Sequence, residues 1–74
     1  MARQIMAINE THHLIWEEIA DDKWQETLIS RFERESGGYE WCTVSTTDEL
    51  EEADVEAFAS QLEATGFTLY KRWN

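Results

Sequence analysis

The chain has no proline, only three glycines, one cysteine and six basic residues in 74. With no proline and no run of glycine or serine there is no candidate linker, and no internal repeat divides the chain. Residues 1–74 therefore read as a single domain. The lone Cys42 excludes an internal disulfide, which in so small a domain fits a reducing compartment, most simply the cytoplasm. The longest unbroken apolar run, Ile5-Met6-Ala7-Ile8, is far short of the ~20 residues that span a bilayer. Behind Met1-Ala2-Arg3-Gln4 there is no apolar signal core, so no secretory signal is expected. The scarcity of bases matters most. Sixteen acids face six bases, a formal charge of −10, which repels nucleic acid and anionic lipid alike. Neither is an expected direct partner, and a basic one is.

What is present suffices to fold. Hydrophobic residues make up 42% of the chain, with four tryptophans among its aromatics, too apolar for a disordered acidic tail. A domain of this mass buries only about 60% of its unfolded surface, enough for one small core.

The clearest local signal lies near the C-terminus. Thr46 stands three residues before Glu49 in a capping-box spacing, acids crowd the following turn, and Gly66 occupies a C′ position. These predict a helix over about residues 48–65. Phe67–Trp73 alternates and is rich in β-formers, as is Tyr39–Thr46, so both read as strands, with Gln4–Asn9 a shorter third. Thr11–Ser36 admits two readings. As a helix it places Ile15, Trp16 and Ile19 nearly opposite Leu28, Ile29 and Phe32, a poor amphipathic pattern. As strands, Leu14–Ala20 and Trp24–Arg34 flank an Asp21-Asp22-Lys23 turn, and Gly37-Gly38 supply a second turn into Tyr39. Trp24, Leu28 and Phe32 then share a face. The expected fold is α+β, a small antiparallel sheet of four to five strands with one acidic amphipathic helix on one face, in the order β-β-β-β-α-β. The alternative order is β-α-β-α-β.

Residues 48–63 hold seven acids and no base. At about 100° per residue from Leu50, Glu49, Glu52, Glu56 and Glu63 fall at about 200–260°, while Val55, Phe58 and Leu62 fall at about 80–140°. The expectation is an apolar stripe on the sheet and a carboxylate ridge pointing away from it. At 1.5 Å rise per residue the ridge approaches one charge per ~3.4 Å, the axial charge spacing of one DNA strand. Surface helices rich in glutamate for solubility usually interleave lysine or arginine at i+4, and none occurs here. Asp21 and Asp22, at the tip of the expected hairpin, could extend the acidic track, although turn chemistry alone also accounts for two aspartates.

Other chemistry finds little support. Adjacent His12 and His13 on a strand point to opposite faces and cannot easily share a metal with Cys42. There is no glycine-rich phosphate loop, and a ligand-sized pocket of roughly 300 Å³ is hard to carve from so little core. No catalytic residues, no cofactor and no metal are expected. Some of Trp16, Trp24, Phe32, Tyr39, Trp41, Tyr70 and Trp73 must lie on an open sheet face or at an edge, since one helix covers only one face.

The expectation for function is a small non-enzymatic protein that blocks a basic, nucleic-acid-binding surface of a larger protein. Glu49, Glu52, Glu56 and Glu63, with Asp21 and Asp22, would stand in for phosphates. In size, charge and lack of paired cysteines the chain resembles the compact acidic proteins that phages and mobile elements encode against host defence or transcription, a likeness of composition that implies a host cytoplasm as the place of action. The competing expectation is a structural or accessory module, a homodimer or small subunit that binds through its open sheet face. In that case Lys71-Arg72-Trp73 could dock on the acidic helix of a second copy.

Overall fold

A computed structural model describes residues 3–72. Five strands and one helix follow in the order β1 (Gln4–Ile8), β2 (His12–Ala20), β3 (Lys23–Glu33), β4 (Tyr39–Leu50), α1 (Glu52–Ala64) and β5 (Thr68–Arg72). The strands form one antiparallel sheet with spatial order β4-β3-β2-β1-β5. Three hairpins build β1 to β4 in sequence, and α1 then crosses the sheet to deliver β5 to the far edge. The α+β class and the β-β-β-β-α-β order are those expected from the sequence. Thr11–Ser36 is a meander, and its helical alternative is ruled out. Trp73, expected to end the last strand, lies outside the described residues.

Turn chemistry fixes the hairpins. Asn9 Oδ1 accepts hydrogen bonds from the backbone N–H groups of Thr11 (2.9 Å) and His12 (2.7 Å). Asp22 takes φ +53° in the two-residue β2–β3 turn, a conformation that aspartate tolerates better than most residues. Gly37 and Gly38, at φ +93° and +80°, close the β3–β4 loop, where L side chains would be strained.

The helix ends as expected but begins later. Phe67 N–H reaches Leu62 O (3.0 Å) and Gly66 N–H reaches Glu63 O (3.1 Å), the paired bonds of a Schellman terminus with Gly66 at φ +109°. At the other end, Thr46, Thr47, Asp48 and Glu49 belong to β4, so the expected capping box does not form. Pairing with β3 prevails over the local capping signal. Trp24 opposes Leu50 and Glu26 opposes Thr47, leaving one residue extra on β4. That β-bulge contains Glu49 at φ +64° and turns the chain toward the helix. Glu51 is the N-cap residue, without a side-chain cap of its own.

The core is small. Ile5, Ala7, Trp16, Trp24, Val55 and Ala59 are buried, with Leu14, Leu50, Leu62, Phe67 and Leu69 packed against them. Among the described residues, no helix is long and apolar enough to cross a membrane.

Candidate functional site

The helix lies on the sheet differently from the expected stripe. Val55 and Ala59 are the buried helical residues, with Leu62 half-buried beside them. Phe58 is 45% exposed. The small Ala59 side chain lets the helix approach the strands along the Val55–Ala59–Leu62 line, which displaces Phe58 to a flank about 70° away. Glu52, Glu56 and Glu63 follow the other flank, while Ala53, Ala57 and Ala64 form the outermost line. The carboxylates therefore edge the helix and do not crown it. Four acids remain within α1 (Glu52, Asp54, Glu56, Glu63), about one per 4.9 Å of axis. This is sparser than the spacing expected from residues 48–63.

Instead, the acids gather where the β2–β3 turn meets the start of α1. Asp22 Oδ1 accepts the Glu52 backbone N–H at 3.0 Å, so the helix is capped from a different hairpin. This bond sets the Asp21-Asp22 turn against the start of α1, whose first turn holds Glu52 and Asp54 after Glu51, with Glu49 on the bulge just before them. The positive end of the helix dipole favours carboxylates at this place. Of the six expected binding residues, Asp21, Asp22, Glu49 and Glu52 share this corner; Glu56 lies one turn on and Glu63 about 10 Å further. Asp21, Asp22, Glu49, Glu56 and Glu63 are exposed, whereas Glu52 is half-buried.

Glu52 is also engaged inside the fold. The Arg3 guanidinium bonds it and bonds Glu18 through both Nε (3.3 Å) and Nη2 (2.8 Å). The same guanidinium lies 5.3 Å from the centre of the Trp24 ring. Arg3 thus ties the chain preceding β1 to β2, β3 and α1, a junction that suits the planar, many-donor guanidinium. Sequence reasoning missed it, because its partners lie 15 and 49 residues away.

Hydrogen bonding from Arg3 holds the Glu18 carboxyl below the usual glutamate range, outweighing partial desolvation. A depressed folded-state value makes the contribution of Glu18 to stability complete above the ordinary glutamate pKa of about 4.3. It is lost as pH falls through the folded value. Glu18→Gln should therefore lower the thermal midpoint at pH 7, and the difference from wild type should shrink steadily below about pH 4.3. Calorimetry across pH 2.5–7 checks this; a gap that stays constant with pH contradicts it.

A groove opens on the Phe58 flank. Leu14, Trp16, Glu26, Leu50, Phe58, Gln61 and Leu62 line a volume of about 390 Å³, larger than the sequence suggested so small a core could leave. It is mostly apolar. Glu26, its charged lining residue, accepts the Trp16 indole N–H at 2.8 Å.

The sheet face away from the helix is of another kind. Cross-strand rows place Tyr70, Met6, Ile15, Thr27 and Thr46 together, next to Thr68, Ile8, His13, Ile29 and Thr43. The His13 and Trp41 rings stack at 4.1 Å, and the Arg31 guanidinium sits 4.1 Å over Tyr39. Tyr39, Trp41 and Tyr70 are exposed. Of the expected aromatics, Trp16 and Trp24 are core, and Phe32 is exposed on the helix side. Cys42 donates to Glu40 Oε1 at 3.4 Å, a contact that, with desolvation, pushes its thiol pKa up and keeps it protonated at neutral pH. Among the described residues, no three His, Cys, Asp or Glu side chains cluster to hold a metal. Comparison with protein-family models, with curated proteins and with solved structures finds no match to this chain.

Proposed function

We propose that this protein acts by occupying a basic, nucleic-acid-binding surface of a larger protein, presenting carboxylates where that surface ordinarily meets phosphates. The observation that supports this reading is the division of charge between the two sides of the sheet. Strand alternation and pairing place Glu17, Glu33 and Asp48 on the open face, with Lys23, Arg31 and Arg72. Three acids balance three bases there, so the whole −10 lies on the helix side, the turns and the edges. It includes the acids where the β2–β3 turn meets the start of α1 (Asp21, Asp22, Glu49, Glu51, Glu52 and Asp54, with Arg3 bonded to Glu52), followed along the helix by Glu56 and Glu63.

Such a surface speeds encounter with a basic partner and weakens with ionic strength. Individual exposed ion pairs add little affinity, so the contact also needs an apolar anchor, and the groove beside Phe58 borders the same helix. In this reading the protein is not an enzyme, needs no cofactor and works in the cytoplasm, that of the host if a phage encodes it.

Because Asp22 and Glu52 also serve the fold, the test uses Asp54, Glu56 and Glu63, all exposed. Pull-down from a cell lysate with the wild-type chain should recover nucleic-acid-binding proteins at low salt and lose them at high salt. The Asp54→Lys/Glu56→Lys/Glu63→Lys variant should fail to recover them, with association to the purified partner slowed about 10-fold or more. If the reversed variant captures the same proteins as the wild type, the reading is wrong.

A further inference from the structure

We infer that the open sheet face is a self-association surface, on which a second copy of this chain packs sheet to sheet with both helices outward. This goes beyond the proposed function, which concerns the opposite side of the molecule.

Chemistry selects the occupant. Two molecules of charge −10 repel across any approach that brings their helices, turns or edges together. The open face is where a second copy meets no net charge, because Glu17, Glu33 and Asp48 are matched there by Lys23, Arg31 and Arg72. A basic protein is drawn to the acidic corner instead. Nucleic acid and anionic lipid gain little from a face without net charge, while the rest of the molecule repels them.

The same face is built like the inside of a sandwich. Met6, Ile8, Ile15 and Ile29 lie on its three inner strands with His13 between Ile8 and Ile29, threonines 27, 43, 46 and 68 lie among and beside them, Tyr39 and Tyr70 stand on the edge strands, and Trp41 reaches in from β4 to stack on His13. β-Branched and aromatic side chains on a pleated surface are what two sheets interdigitate when they stack ~10 Å apart. Trp and Tyr are also the residues most enriched among binding hot spots.

Size and area agree. Five strands at ~4.8 Å spacing, five to twelve residues long at ~3.3 Å each, give a face of several hundred Å². This is the order of the ~800 Å² each partner contributes to a standard interface. The single chain exposes 5126 Å², against roughly 4,700 Å² for a compact monomer of its mass. Among the described residues its core has six buried side chains, so a second apolar layer would add what so short a chain cannot supply alone.

The experiment is sedimentation equilibrium of the full chain from 5 to 200 µM at 50 and 500 mM salt. A dimer is expected, and it should tighten as salt rises, because salt screens the repulsion between the two copies. This is opposite in sign to binding of a basic partner, so the two proposals stand or fall separately. Trp41→Glu/Tyr70→Glu, at positions exposed in the isolated chain, should weaken the dimer at least 30-fold with an unchanged far-UV circular dichroism spectrum. A wild-type chain that stays monomeric at 200 µM and 500 mM salt overturns the inference without reference to any variant. So does a dimer that loosens with salt, or one that a folded Trp41→Glu/Tyr70→Glu variant forms equally well.

Discussion

Trp16→Phe is expected to destabilise the protein by roughly 2.5–6 kcal/mol more than Trp24→Phe, although the two substitutions remove the same atoms from the same core. Both rings are fully buried, so the loss of packing is similar. The indole nitrogens differ. Trp16 Nε1 donates to Glu26 Oε1 at 2.8 Å, and a hydrogen bond to a charged group contributes about 1.5–3 kcal/mol. Trp24 Nε1 is buried and has no acceptor among the described residues. An unsatisfied donor costs about 1–3 kcal/mol, and phenylalanine removes it. Trp24→Phe should therefore be close to neutral, the recovered penalty offsetting the packing lost, while Trp16→Phe suffers both losses. For 74 residues a total stability of about 4–11 kcal/mol is ordinary, so the difference is a large share of the whole. Urea unfolding followed by far-UV circular dichroism measures it; equal effects, or Trp24→Phe the worse, would sink the argument.

The contrast between these two tryptophans also shows what the sequence could and could not convey. Trp24, Leu28 and Phe32 share a face because a strand has period two, and that was legible from spacing alone. Which of them is covered depends on where the helix lies. Trp24 is buried under it, Leu28 is half-buried, and Phe32 is exposed on the part of the β3–β4 hairpin that α1 does not reach. The helix C-terminus was legible because Gly66 meets a backbone requirement that few residues can satisfy. Its N-terminus was not, since Thr46-Thr47-Asp48-Glu49 suits a capping box as well as a strand, and only the pairing of Leu50 with Trp24 decides between them. Ala59 carried no signal because alanine is neutral in hydropathy patterns, yet its smallness sets the helix against the sheet and pushes Phe58 aside.

For the acidic residues the sequence conveyed the composition but not the layout. A linear ridge over residues 48–63 assumed one continuous helix. Once the β4 bulge takes Asp48 and Glu49 out of that helix, the negative charge concentrates at a corner that two distant segments build. The neutrality of the open face was equally hidden. It depends on the register that sets Lys23, Arg31 and Arg72 on the same side as Glu17, Glu33 and Asp48, which no count of acids and bases can reveal.

Substitutions at Asp22 should separate two roles that composition alone could not distinguish, with stability falling in the order Asp22→Asn, Asp22→Gly, Asp22→Ala. The side chain caps α1 across the gap from the β2–β3 turn, and its backbone sits at φ +53°. Asparagine keeps an oxygen acceptor and tolerates the left-handed region, so it should remain within about 0.5 kcal/mol of wild type. Glycine accepts the backbone conformation without strain but loses the cap, a cost of about 1 kcal/mol. Alanine loses the cap and also pays about 1 kcal/mol or more for the left-handed backbone, about 2 kcal/mol in all. Thermal unfolding of the three variants tests the order, and an alanine variant as stable as the asparagine one would refute the capping role. The consequence reaches the proposed function. A loss of partner binding in Asp22→Ala is ambiguous, because frayed residues at the start of α1 would displace Glu51, Glu52 and Asp54 together. Asp22→Asn removes a charge and leaves the cap, so any binding it loses reports the carboxylate itself.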